Sequence, residues 1–448
     1  MDTWGGEAVG RQTSPARAAL ASFVGTATEY YDFFIYGTAS ALVFGQLFFP
    51  NVSPLAGTLS AFAAFGVGFL FRPLGGIFFG HYGDRIGRKA MLVITLLGMG
   101  AATFLIGLLP TYSSIGILAP ILLVLLRIVQ GFAVGGEYGG AAVVSVEHAS
   151  NKRRGFYGSW TSNGAAGGFL LATAVFAVFS SLPHDDFLAW GWRIPFLLSA
   201  IVVAVGFWIR SGLHETPMFE RVKQAHAAAR SPVLEALRDY PRTIALVVGC
   251  VLGPNIAFFI ATVYALSYAT ARLGVPNPTM LLILTITTII GLIVQPLYGA
   301  LSDRVGRGRI LLVGLVVYVL SVFPFFWALE SQSPILIFLG FVLLLNVAHS
   351  LGNAVTPSFF AELFGTRVRY SGVSIGFQLG AMLGGFSPFI SAALQASQNG
   401  GWTYVATYTV AGLLVSLLAV VLARETYQED LAAVPETDRA AVPALSTS

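Results

Sequence analysis

Apolar stretches long enough to cross a bilayer recur along this chain, and they leave it few possible folds. They run over residues 18–44, 54–79, 90–109, 115–142, 156–181, 193–211, 242–272, 279–301, 309–329, 335–361, 370–396 and 402–422. A spanning helix needs ~20 predominantly apolar residues, because in hydrocarbon the backbone must satisfy its own hydrogen bonds. Several runs exceed that length, which implies tilt or extension beyond the bilayer. Composition agrees: 56% of the 448 residues are hydrophobic and 10% are charged, where a soluble domain carries about 25% charged residues. The expected fold is an all-α membrane protein with twelve transmembrane helices.

The runs fall into two sets of six, divided by a polar stretch. The expected organisation is an N-tail over 1–17, a six-helix bundle over 18–211, a central loop over 212–241, a second six-helix bundle over 242–422 and a C-tail over 423–448. A glycine-rich basic loop recurs at the matching place in each half. It reads G-H-Y-G-D-R-I-G-R from Gly80 to Arg88 and G-A-L-S-D-R-V-G-R from Gly299 to Arg307. Two copies of G-x-x-x-D-R-x-G-R imply a duplicated membrane protein with related halves. Ser14 followed by Pro15 suits a helix start. Small residues at i,i+4 recur inside the runs, as at Gly164/Gly168 and Gly376/Gly380/Gly384, and let backbones approach closely. They fit tight static packing or faces that slide.

The basic residues set the orientation. With twelve spans, 21 of the 25 Lys and Arg fall in the tails and even-to-odd connections on one side. Positive charge is retained on the cytoplasmic side, so both termini and the central loop are expected in the cytoplasm. The +4 net charge is therefore a topology signal, and no nucleic-acid partner is expected. The lone cysteine, Cys250, excludes a disulfide or a Cys-based metal site within one chain. The sequence shows no paired metal-ligand histidines, no Ser-His-acid set and no G-x-x-x-x-G-K-[ST] loop. Neither a metal, a cofactor nor an enzymatic activity is expected.

Ionisable groups inside the spans are costly and by default mark function. They are Glu29, Asp32, Arg72, Arg127 and Glu137, all in the first half. Glu29, Asp32 and Tyr36 share one helix face at i, i+3 and i+7. With the core starting near Ala21, Asp32 lies ~16 Å in; Arg127 lies ~18 Å from the other side. The two can meet at one depth, where a nearby arginine restores the charged carboxylate that desolvation disfavours. Asp32 is the expected proton carrier, with Glu29 as its alternative. Arg127 either pairs with that acid or captures a substrate carboxylate bidentately. Arg72 is expected to be a packing or snorkelling residue nearer the cytoplasm. The aromatics Tyr30, Tyr36 and Trp160 fit a cage for a quaternary ammonium or plain packing. In the second half the embedded polar groups are neutral, among them Asn255, Asn346 and Gln378. With Gln130 and Asn163, these complete the expected binding set.

The ordered motifs resemble a known family. The repeated loop is similar to the signature of the major facilitator superfamily. Glu29 to Gly37, Arg72-Pro-Leu-Gly-Gly76, Arg127 to Gly131 with Gly135-Gly-Glu137, Trp192 to Phe196 and Glu215-Thr-Pro217 narrow the resemblance to the metabolite:proton symporters. The likeness is nearest the shikimate-type branch, beside 2-oxoglutarate, citrate and proline/betaine carriers. It implies two six-helix bundles around one central site and proton-coupled uptake of a small organic acid, by a chain active as a monomer. Proline/betaine-type osmolyte symport and efflux antiport are the alternatives. The run Asn163 to Gly168 lacks the proline of drug antiporters, and the tail from Arg424 lacks the coiled-coil repeat of the osmosensing branch.

The loop motif also suits a latch. Asp84 is expected to face a helix N-terminus of the other half, where partial positive charge accumulates. Glu147 and Arg154 are seven residues apart, as are Glu362 and Arg369. Two charge networks are expected at the cytoplasmic side: Asp84, Arg88, Glu147 and Arg154, with Asp303, Arg307, Glu362 and Arg369 as the twin.

Overall fold

The computed structural model describes residues 14–86, 88–135, 137–211, 232–365 and 368–427. Of 80–86, 88–90, 92, 209–211 and 232 only the backbone is described. Twelve long helical runs carry the chain. We number them α1 (Pro15–Leu42), α2 (Pro54–Ile86), α3 (Arg88–Leu108), α4 (Leu118–Glu147), α5 (Arg154–Phe179), α6 (Arg193–Ser211), α7 (Pro241–Arg272), α8 (Asn277–Val305), α9 (Arg307–Glu330), α10 (Pro334–Leu363), α11 (Arg369–Ser397) and α12 (Thr403–Leu422). Ser14 caps α1, accepting from Arg17 N, and Pro15 takes the first turn, where its missing N–H costs nothing.

Length and composition alone make nine of these helices able to cross a membrane, and α6 with the bent segment before it makes a tenth. The other two are α1 and α3. Helix α1 falls short because it carries Glu29 and Asp32 in its middle. Among the described residues the apolar part of α3 is Val93–Leu108. Among the described residues there is no strand, and the all-α, two-bundle membrane fold is the one observed.

Within the first bundle α1 packs on α5 and α6, α2 on α4, and α3 on α4 and α6. Within the second, α7 packs on α11 and α12, and α9 on α10 and α12. The bundles meet where α5 lies on α8 and α2 and α4 lie on α11. Several helices depart from regular α geometry. Helix α4 is interrupted between Val134 and Tyr138, and α11 at Phe386. Helices α7 and α10 widen into π turns at Ile260–Tyr264, Tyr268–Arg272 and Val342–His349. Such widened turns recur at functional sites.

The glycine pairs divide into two kinds. Gly164 and Gly168 seat α5 on the α1 backbone, and Gly376, Gly380 and Gly384 seat α11 on α7. These contacts lie inside single bundles. Gly155 and Gly299 instead bring α5 and α8 together across the bundles. A Cβ on Gly299 would stand 2.5 Å from the Gly155 carbonyl oxygen and 2.8 Å from Ser159 Cβ.

Gly299→Val therefore forces this crossing apart. Overpacking of this kind costs about 1–3 kcal/mol, so roughly ten-fold faster maleimide labelling of a cysteine placed at the buried Ser302 is expected. Unchanged labelling in the Gly299→Val background would show that the crossing tolerates the bulk.

Candidate functional site

A cavity of ≈ 90 Å³ lies between the bundles. The first bundle gives it Arg72 of α2, Tyr30 of α1, Tyr138 of α4 and Ser162 of α5. The second gives neutral side chains: Asn255 of α7, Thr287 and Gln295 of α8, and Asn346 and Asn353 of α10. Aromatic rings close on it from two directions. Tyr138 and Phe377 stack across the bundles with centroids 3.5 Å apart. Phe33, Phe69 and Phe259 form a second cluster, with Phe33 4.9 Å from Phe69 and 5.9 Å from Phe259.

Arg72 is the charged group of this wall, which corrects its expected role as a snorkelling residue. It is 3% exposed, its charged and polar neighbours are Glu29 and Tyr30, and its Nε has no hydrogen-bond partner among the described residues. The guanidinium carbon lies 4.6 Å from the Phe33 and Phe69 ring centroids. The same sequence arithmetic that placed Arg127 was able to find it. Arg72 is twelve residues from Asp84, or ~18 Å along a helix, and so equally deep. Glycines at 68, 75 and 76 seat α2 against Arg127 and the α4 backbone.

Of the expected binding residues, Tyr30, Asn255 and Asn346 line the cavity. Arg127 stands behind the Phe33 ring, 4.6 Å from its centroid, with Tyr36 at 4.4 Å and Phe65 at 5.1 Å. It donates from Nε and Nη2 to the Phe65 carbonyl and from Nη1 to Gln130 Oε1 at 3.0 Å. Neither Arg127, Gln130 nor Tyr36 reaches the cavity wall. Asn163 and Gln378 are spent elsewhere, because each donates to a backbone carbonyl across the bundle interface. Asn163 donates to Leu292 O at 3.0 Å, and Gln378 to Gly135 O at 3.1 Å. The latter carbonyl borders the α4 interruption, which leaves it short of a helical donor. Trp160 packs edge-on against Phe23 and Phe156, away from the cavity.

The expected Asp32–Arg127 ion pair is not formed. Asp32 is 1% exposed, and neither carboxylate oxygen has a hydrogen-bond partner among the described residues. Gln130 occupies the intervening space, donating to Thr103 Oγ1 at 2.6 Å. Gln295 is one of the embedded neutral groups that the sequence shows in the second half, whereas Thr103, Tyr138 and Thr287 were not singled out. A lone threonine or amide in an apolar run is indistinguishable from a residue bonded to its own helix.

At the end of the molecule where α5 and α11 begin, charges join the bundles. Asp303 accepts from the backbone N–H of Gly155 at 2.8 Å and of Phe156 at 2.9 Å, capping α5 from the other bundle. Arg307 binds Asp303 at 2.8 Å and Glu362 at 3.4 Å. The expectation of one network per half is corrected in its pairing. Arg154 approaches Glu362 at 4.0 Å, and Arg369 binds Glu147 at 3.0 Å. Arg154 and Arg369 each open a helix at the interface, and each meets a glutamate near the end of a helix of the opposite bundle. The side chains of Asp84 and Arg88 lie outside the described residues.

Fold and cavity together define a membrane transporter with one site enclosed by two bundles. The Major Facilitator Superfamily family model matches residues 22–385 and 256–446. The Shikimate transporter of Escherichia coli (strain K12) is 46% identical over 92% of this chain and 94% of that protein. The Proline/betaine transporter of the same strain is 36% identical over 93% of this chain and 84% of its own. Among solved structures, the proton:xylose symporter XylE bound to 6-bromo-6-deoxy-D-glucose superposes with a TM-score of 0.74. That match has 17% identity over 93% of this chain and 98% of the other, a likeness of fold. The chain belongs to the Major Facilitator Superfamily and, within it, to the metabolite:proton symporters. It is a multi-pass membrane protein and not an enzyme.

Reversing one charge of the Glu147–Arg369 pair, in Glu147→Arg or Arg369→Glu, should weaken the closure at this end, and reversing both should restore it. The coupling expected for a close, partly buried pair is roughly 1–3 kcal/mol. A double-mutant cycle on cysteine accessibility at the α5–α8 crossing measures it, and additive effects would mean the pair is not coupled.

Proposed function

We propose that this protein imports a small hydroxylated organic acid together with a proton, by rocking of the two bundles around the central cavity. One observation carries the reading. In a single cavity a buried guanidinium with a free Nε on one wall faces Gln295 Oε1, Asn346 Oδ1 and Thr287 Oγ1 on the other, none of them hydrogen-bonded. A guanidinium suits a planar carboxylate. Amide oxygens suit the hydroxyl donors of the same molecule. Unpaired polar atoms in so buried a place are costly until a ligand meets them. A transported molecule must leave again, so such modest, divided recognition fits a carrier.

In this reading Arg72, with Tyr30, holds the carboxylate, and Asn255, Gln295 and Asn346 orient the rest. Asp32 carries the proton, with Glu29, beside Arg72, as the alternative. The ion pairs among Glu147, Arg154, Asp303, Arg307, Glu362 and Arg369 hold the cytoplasmic side shut. Both termini face the cytoplasm, as the basic residues require. One chain encloses the cavity, so a monomer suffices. The shikimate transporter among the relatives supports the acid. A second reading is favoured by the aromatic lining, Phe33, Phe34, Phe69, Phe258 and Phe259, and by the proline/betaine relatives. A zwitterion would place its carboxylate on Arg72 and its cation on those faces. Uptake into proteoliposomes under an imposed proton gradient, with labelled shikimate, 2-oxoglutarate, citrate, benzoate, proline and betaine, separates the two. Accumulation independent of the gradient would overturn proton coupling.

Two variants test the assignments. Arg72→Met should raise the substrate Kd roughly ten- to hundred-fold, the loss expected for hydrogen bonds to a charged group; calorimetric titration of purified protein reads it. Asp32→Asn should abolish gradient-driven accumulation while exchange of internal for external substrate continues. Full accumulation by Asp32→Asn would move the proton to another group.

A further inference from the structure

Asp32 and Arg127 are buried in one bundle without touching, and two neutral side chains fill the space between them. Gln130 accepts from Arg127 at 3.0 Å through Oε1 and donates to Thr103 Oγ1 at 2.6 Å through Nε2. Thr103, on α3, is fully buried and is the polar side chain beside the Asp32 carboxyl. Its hydroxyl proton is committed to the Met99 carbonyl at 2.9 Å. That commitment leaves both Asp32 oxygens without a partner.

A hydroxyl has one proton and two lone pairs. One lone pair of Thr103 takes the Gln130 amide. The proton serves either Met99 or Asp32, by rotation about one bond, and not both. A protonated carboxyl tolerates the observed arrangement. A carboxylate does not, because a buried anion without donors is far costlier than a helix carbonyl that loses a second, back-bonded hydroxyl. We propose that Thr103 is a positioning residue that links the protonation of Asp32 to Arg127. When the proton leaves Asp32, the Thr103 hydroxyl turns from Met99 to the carboxylate. As the hydroxyl rotates, the Thr103 lone pairs re-aim, so the Gln130 carboxamide that donates to one of them shifts and loosens its hold on Arg127 Nη1. Arg127, otherwise held by the Phe65 carbonyl and aromatic faces, is then free to swing toward the new negative charge. Reprotonation of Asp32 reverses each step, and the only covalent bond made or broken is the Asp32 O–H.

The other groups around Asp32 do not replace this link. Glu137 of α4 is its charged neighbour and Tyr31 its titratable neighbour on α1. The Tyr31 hydroxyl already donates to Pro195 O at 2.8 Å. Among the described residues, α2, α5, α6 and α7, which also pack on α1, bring no charge to the carboxyl.

The inference rests on Asp32 as the proton carrier, so the test includes both positions. Thr103→Val, Thr103→Ser and Asp32→Asn are compared with the parent in proteoliposomes, by the pH profile of accumulation and by substrate exchange. Loss of the donor to the carboxylate moves the accumulation midpoint of Thr103→Val about one unit to higher pH, while Thr103→Ser keeps the parent profile. Substrate exchange reports folded protein in each case. A parent-like profile in Thr103→Val, or an equal shift in Thr103→Ser, overturns the role of Thr103 alone. Proton-driven accumulation in Asp32→Asn overturns the Asp32 assignment and this inference with it. Should Thr103→Val fail to exchange, Thr103→Ala is read against Thr103→Ser by the same two criteria.

Discussion

The carboxylate of Asp303 sits on two N–H groups in the first turn of α5, a helix of the opposite bundle. Partial positive charge gathers at such a terminus, and two charge-assisted bonds there are strong and directional. The contact needs the backbones of α5 and α8 almost to touch, which Gly155 and Gly299 alone permit. The repeated motif thereby acquires a physical reason. Gly299 and Asp303 lie at i and i+4, on one face of α8, and Arg307 opens α9 just past the break at Gly306. The glycine supplies approach, the acid one turn on supplies the cap, and the arginine beyond the break holds the acid and reaches Glu362. With this end joined, the Tyr138–Phe377 stack closes beneath the cavity. The enclosed volume follows from the cap.

Much of this was legible in the residues. The apolar runs delimited the helices, and the repeated loop announced the duplication. Placement was less legible. In water one face of a helix must be polar, and the period of that face tells which side is buried. A helix in hydrocarbon surrounded by other helices is apolar all round, so the sequence of α2 does not say that Arg72 points at a cavity. Amide residues have the same ambiguity: Asn163 and Gln378 serve backbone carbonyls across the interface, whereas Asn346 keeps its oxygen for the cavity. The crossed pairing of Arg154 and Arg369 was hidden for another reason. Spacing along the chain ranks neighbours by sequence, and at a bundle interface an acid of the other half can stand as close.

The division of polar groups between the bundles has an energetic logic. Charge buried in hydrocarbon requires surroundings built to hold it. The first bundle provides them, with two arginines against aromatic faces and a carbonyl, and three acids, Glu29, Asp32 and Glu137, buried in the same bundle. The second bundle offers amides and hydroxyls, whose cost when unpaired is smaller. A surface that must part from its partner and meet water in each cycle is better made of such groups. The π turns of α7 and α10 lie in this neutral half, and Asn346 sits on one of them, where the looser backbone can give as a ligand arrives.

Phe33 connects the two halves of the proposed mechanism. Its ring centroid is 4.6 Å from the guanidinium carbon of Arg72 and 4.6 Å from that of Arg127. Two cations held on one ring repel each other in a medium of low dielectric, and the ring quadrupole offsets only part of that repulsion. An anion arriving at Arg72 neutralises the nearer charge and leaves Arg127 with the full attraction of the ring and of Asp32. Substrate binding in the cavity is in this way felt at the proton site without any contact between substrate and Asp32. The coupling is then a property of charge balance across one aromatic side chain, so a neutral analogue that fills the cavity without reaching Arg72 would occupy the site and leave Arg127 unmoved.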